Sequence, residues 1–270
     1  LSSLTTAMSC NEEEQHGQKV RTIMATIEKS STRTALDGPD ADGVYKTIWL
    51  SEDAIAVFSG NDSATEFKLT SGANTNTAEF EGNAASDNMV AFYPYSIVKG
   101  KSGSTISITL PDVQEYVSGN IPQGAYPMAA VSNGAILPFY NLCSVLRLRM
   151  FGDLTVNSIT FTPNDTDVKT SGNATVNAAD KMLTMSNDAQ STVRLKCENG
   201  VKLTKTSTDF LMVVPAQKYT GGFTITISTD HGEVTKAVKS DVTLSRSVLY
   251  PVKTFECKID DSKESIVFEH

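Results

Sequence analysis

The sequence predicts an all-β protein. Three observations carry this prediction. Threonine and serine alternate with isoleucine and valine throughout the 270 residues, a pairing that favours strands. No stretch of ~12 residues places apolar side chains at i, i+3, i+4 and i+7, so helical periodicity is missing. The apolar runs are short and separated by turn-forming clusters of Gly, Pro, Asn and Asp, as in a β-sandwich.

Taken in order, "KVRTIMATIE" from Lys19 alternates as a strand does, and "KSSTRTALDGPDADGVYK" is a polar loop. "KTIWLSEDAIAVFSG" reads as two short strands around a Ser-Glu-Asp turn, with Trp49 in a core strand between Ile48 and Leu50. "TEFKLTSG" and "TAEFEG" form a hairpin pair. "DNMVAFYPYS" is continuously apolar, as expected of a central strand buried on both faces. Phe92 is assigned to the core, while Tyr93 and Tyr95 fit either a core or a ligand platform. "STISITLP" turns Ile106, Ile108 and Leu110 to one side.

A second set of strands begins near Pro138. "YNLCSVLRLRM" sends Leu142, Ser144, Leu146, Leu148 and Met150 to one face. "GGFTITISTDHGEVTKAV" is a hairpin turning at Asp230, His231 and Gly232. "SVLYPVKTFECKI" closes the set. The chain thus divides into a tail (1–18), an N-terminal sandwich (19–136), a C-terminal sandwich (137–259) and a C-terminal linker with an apolar end (260–270). Each sandwich has about the length of one domain.

Composition narrows the function. A chain 40% hydrophobic and 20% charged is globular. A net charge of −8 leaves no basic surface for nucleic acid. No apolar run approaches the ~20 residues that span a bilayer. The four cysteines, Cys10, Cys143, Cys197 and Cys257, include no CxxC pair. The last three read as buried small hydrophobes, with a Cys143–Cys257 or Cys197–Cys257 disulfide as the alternative.

The sequence predicts no enzyme, no cofactor and no metal. Its three histidines, His16, His231 and His270, lie in the tail, a hairpin turn and the final position. No nucleophile elbow, zinc-binding helix or phosphate loop is present. Asp37, Asp40 and Asp42, with Gly43, have the look of a calcium loop. They lack its closing glutamate and read as an ordinary Asp/Gly turn.

The N-terminus carries an address. In "TTAMSC" a small residue precedes Cys10, which resembles the end of a bacterial lipoprotein signal, although Ala7 stands where that pattern has leucine. The acidic run Glu12, Glu13 and Glu14 resembles the signal that sends lipoproteins of Gram-negative anaerobes to the outer face of the outer membrane. Acyl chains on Cys10 would anchor the protein at ~0.8 kcal/mol per buried CH₂.

The body of the chain, 19–259, resembles the fimbrillin-like (type V pilin) surface lipoproteins. The resemblance rests on the order and spacing of "TRTAL", "IWLSEDAIAVF", "MVAFYPYS", "STISITLP", "YPMAAVS", "LPFYNLCSVLRLRM" and "FLMVVPAQKYTGGFTITI". It implies two tandem transthyretin-like β-sandwich domains and a structural or adhesive role in a pilus at the cell surface. Partners would be other pilin subunits, the outer membrane through the lipid, and a host or bacterial receptor. In polymerising members a protease cuts after an N-terminal arginine, the first strand leaves, and a strand of the next subunit fills the groove. Here the candidates for cleavage are Arg33, in a polar loop, and Arg21. The candidate donor residues are Ile266, Val267 and Phe268, or else the segment from Val252 to Cys257. A rival reading is a non-polymerising glycan-binding lipoprotein, which predicts exposed aromatic side chains. Another is a pilus anchor or accessory subunit.

Overall fold

The computed structural model describes residues 19–28, 36–37, 46–60, 63–259 and 264–268. Cys10, Glu12, Glu13, Glu14, Arg33 and the loop bearing Asp40 and Asp42 lie outside them. The protein is all-β, with no α-helix among the described residues.

Seven strands between Lys19 and Asn141 close into a barrel. Its order is Lys19–Ile27, Ile136–Asn141, Met128–Ser132, Met89–Tyr93, Ala54–Phe58, Thr65–Ser71 and Thr77–Ala84, which returns to Lys19–Ile27. Alternation decides which side chains go inside. Ile23, Ala25 and Ile27 point inward with Ile55, Phe67, Phe80, Leu137 and Phe139. Trp49 fills the middle, with ring centroids 5.0 Å from Phe80, 5.4 Å from Tyr93 and 5.3 Å from Phe139, all edge to face. Such pairs add about 0.5–1.5 kcal/mol beyond the area they bury.

Trp49 is core, as its neighbours implied, but it is not in a strand. It enters the barrel from a loop, its N–H donating to Thr75 O and its carbonyl accepting from Asn74 N. Gly82, on the strand beside Lys19–Ile27, has no room for a side chain. A Cβ there would meet the Phe67 ring and the Glu66 carbonyl.

A second layer explains the strands that are apolar on both faces. The sheet of Met182–Met185, Gly172–Asn177, Thr105–Leu110 and Val98–Ser102 packs Ile106, Ile108, Ala174 and Val176 onto the outer barrel wall at Ala56, Phe58, Phe92 and Ala129. The strands Ala54–Phe58 and Met89–Tyr93 are therefore covered from inside and outside. This sheet joins strands from both sides of residue 137, pairing Ile108 with Ala174 and Ile106 with Val176.

Most of the remaining strands form two larger sheets. One runs Val113–Glu115, Val193–Lys202, Thr155–Pro163, Phe223–Thr229, Gly232–Val238 and Glu264–Ser265. The other has Cys143–Gly152 at its centre, paired with Thr208–Pro215, Leu249–Pro251 and Phe255–Cys257. Leu146, Leu148 and Met150 meet Phe161, Ile225 and Ile227 between them. The hairpin forms, from Phe223 opposite Val238 to Thr229 opposite Gly232, so the turn is Asp230-His231 and Gly232 already belongs to the second strand. Cys143, Cys197 and Cys257 are free and buried. Burial holds the Cys197 and Cys257 thiols up at about 11, so they are neutral packing groups.

Candidate functional site: the first strand and its groove

The strand Lys19–Ile27 is held on both edges. It pairs antiparallel with Thr77–Ala84, from Lys19 opposite Ala84 to Thr26 opposite Thr77. It pairs parallel with Ile136–Asn141, from Met24 beside Ile136 to Ile27 beside Phe139. The Met24 N–H donates to Ala135 O at 2.8 Å and the Glu28 N–H to Phe139 O at 2.9 Å. Inward, Ile23, Ala25 and Ile27 lie in an apolar trough with Trp49, Phe80 and Phe139. Burying one such isoleucine stabilises by about 1.5–3 kcal/mol. Outward, Val20 and Met24 are 67% and 41% exposed.

Removal of this one strand would have three physical consequences. Two barrel edges would present unpaired N–H and C=O groups. The aromatic floor would meet water. A carboxylate at the strand's end would also be lost. Glu28 Oε1 accepts from the Asn141 N–H at 2.9 Å, from Arg246 at 2.7 Å and from the Ser247 hydroxyl. Glu28 thereby ties the first strand to a barrel strand and to a loop of the C-terminal half. Nothing in the alternation of "KVRTIMATIE" marks this role, and Arg246 sits in an unremarkable Ser-Arg-Ser run.

Arg21 belongs to this strand. Its guanidinium makes an ion pair with Asp87, and its backbone lies opposite Gly82.

The nominated donor residues sit on their own half of the molecule. Glu264 and Ser265 pair parallel with Lys236 and Ala237. The Ile266 N–H donates to Ala237 O at 2.9 Å, and the Lys253 N–H donates to Val267 O at 2.7 Å. Phe268 bridges to Val252, with its ring 6.0 Å from Tyr250 and 6.3 Å from Phe223. Ile266 and Phe268 pack on the core, and Val267 is exposed. The alternative donor, Val252–Cys257, is built into the interior: Val252 and Cys257 are buried, and Phe255–Cys257 pairs with the central strand Cys143–Gly152.

At one end of the barrel Asp53 is almost fully buried. It accepts from Leu50 N–H at 2.7 Å, Tyr93 OH at 2.7 Å and Gln123 at 3.0 Å. Burial raises its pKa despite these three donors. Tyr93 OH in turn accepts from the Gly124 N–H at 3.0 Å, so the network fastens the loop through Gln123 and Gly124 onto the barrel. Tyr93 is thus a core residue with a satisfied hydroxyl. Tyr95 is half-buried. Among the described residues the exposed large hydrophobics are Val20, Met24, Val117, Val131, Ile136, Met182, Ile259 and Val267, and none is aromatic. No group of three His, Cys, Asp or Glu among the described residues could hold a metal ion.

Neither a family model nor a curated protein matches the sequence. Solved structures do match. A candidate cell adhesion protein of Bacteroides ovatus superposes with a TM-score of 0.55 at 12% identity, over 94% of this chain and 97% of its own. A candidate cell adhesion protein of Bacteroides uniformis superposes at 0.47 with 15% identity, over 90% and 94%. The tip fimbrial protein Mfa3 of Porphyromonas gingivalis superposes at 0.36 with 10% identity, over 92% and 99%. The Bacteroides ovatus protein shares the fold along nearly the whole chain. The structural neighbours are candidate cell adhesion proteins and fimbrial proteins.

Proposed function

We propose that this chain is a structural or adhesive subunit of a cell-surface pilus of the fimbrillin-like type, assembled by strand exchange. One observation carries the proposal. The most N-terminal described strand is also the member that closes the barrel, bonded along both edges and facing an aromatic trough. A strand so placed can be lost by one cut in the chain, and the groove it leaves can be refilled only by another strand with an alternating apolar face. Repeated head to tail, such a contact makes an open filament.

In this reading the two halves correspond to two transthyretin-like domains. Cys10 carries lipid, and Glu12, Glu13 and Glu14 direct the precursor to the outer face of the outer membrane. Arg33 is the preferred cut. Cutting there frees the whole of Lys19–Ile27, whereas cutting at Arg21 would leave most of that strand paired in place. Ile266, Val267 and Phe268 belong to the donor, because their in-out-in alternation suits the trough. They must first leave their own core.

Limited trypsin treatment tests the proposal. Nicking after Arg33 is expected to release the first strand and to give a ladder of oligomers that resists SDS. Nicked protein that stays monomeric at high concentration would refute assembly by strand exchange.

A further inference from the structure

A continuous set of contacts runs from the first strand to the seat of the C-terminal segment. It begins at Glu28, which binds Arg246 and the Ser247 hydroxyl. Ser247 is a non-glycine residue with φ of 61°, in the left-handed region that side chains disfavour. Such a conformation persists only where the surroundings hold it. Glu28 on its hydroxyl and Cys143 O on its N–H, at 2.9 Å, do so. Two residues earlier in the same loop, the Ser245 N–H donates to Tyr250 OH at 2.8 Å. The Tyr250 ring then lies edge-on against Phe268. Lys253, three residues further on, holds the Val267 carbonyl.

We propose that Glu28 is a positioning residue that couples the two ends of the chain: while the first strand is in its groove, the loop 245–247 is held and the segment 264–268 stays seated. When the strand leaves, Glu28 goes with it. Ser247 then relaxes from the left-handed region, Tyr250 loses its fixed hydroxyl partner, and the seat of Phe268 loosens. A subunit therefore frees its C-terminal segment only after its groove has opened, which restrains assembly of uncut precursor. The use made of the coupling rests on the strand-exchange reading. The coupling itself is a property of the intact, uncut chain.

The test is hydrogen exchange on the full, uncut chain carrying Glu28→Gln. Exchange at the Ile266 and Lys253 amides is expected to quicken by about tenfold, as for a local opening. The hairpin Phe223–Thr229 should keep its wild-type protection. Adding Ser247→Gly, which removes the backbone strain, is expected to return both amides to near the wild-type rate. Unchanged rates at Ile266 and Lys253 in Glu28→Gln would overturn the coupling. So would a uniform increase that includes Phe223–Thr229, since that is general destabilisation, and so would a double variant no slower than the single one. An uncoupled chain that still forms a ladder after nicking would leave strand exchange standing. A coupled chain that never assembles would remove strand exchange and leave the relay.

Discussion

Replacing Trp49 with alanine is expected to destabilise the protein by about 3–5 kcal/mol, the usual range for a large aromatic removed from a packed core. The indole is fully buried and meets three rings edge to face, and no other described side chain of its size lies inside the barrel. Its removal would leave a cavity beneath Ile23, Ala25 and Ile27, because barrel strands paired on both edges cannot collapse far inward. Urea denaturation checks this through the midpoint at unchanged slope. Trp49→Phe, which keeps a ring, should cost clearly less than Trp49→Ala. A loss under about 1 kcal/mol for the alanine variant would mean that the barrel is not the packed body described here.

Met24→Pro is expected to dislodge the first strand without any protease. Met24 points outward and is partly exposed, so its side chain contributes little. Its N–H, however, bonds Ala135 O within a strand that is paired on both edges. Proline removes that donor and crowds the ladder, which is why it is confined to edge strands and bulges and kept out of strands paired on both edges. Met24→Ala leaves the backbone donor in place and should behave as wild type. Size-exclusion chromatography of the uncut chains reads the outcome. The proline variant should form higher oligomers where Met24→Ala stays monomeric. A monomeric, fully folded Met24→Pro chain would show that the first strand is not what blocks the groove.

Much of the fold was legible because strand alternation is local. The inward set Ile23, Ala25, Ile27 and the hairpin turning at Asp230 and His231 can be read from period two alone. The double-sided burial of Met89–Tyr93 followed from its unbroken apolar run. What periodicity does not contain is the partner of each strand. Nothing local says that Lys19–Ile27 lies parallel to Ile136–Asn141, or that Thr105–Leu110 pairs with Gly172–Asn177. Barrel closure depends on those long-range choices. The apolar neighbours of Trp49 mark it as core but equally suggest a strand, since a loop entering a barrel mouth has the same composition. The Glu28–Arg246 contact, 218 residues apart in sequence, joins two charged residues that look like ordinary surface positions.

The central claim is that the groove of the first strand is where subunits join. Hydrogen exchange along the two strands that flank it, Thr77–Ala84 and Ile136–Asn141, tests this most directly when measured on the nicked chain before and after oligomers form. The account predicts that their amides lose protection when the first strand is released and regain it in the oligomer, as a strand from a second copy completes both ladders. Oligomers whose flanking strands stay unprotected would contradict it, because the subunits would then be joined somewhere else.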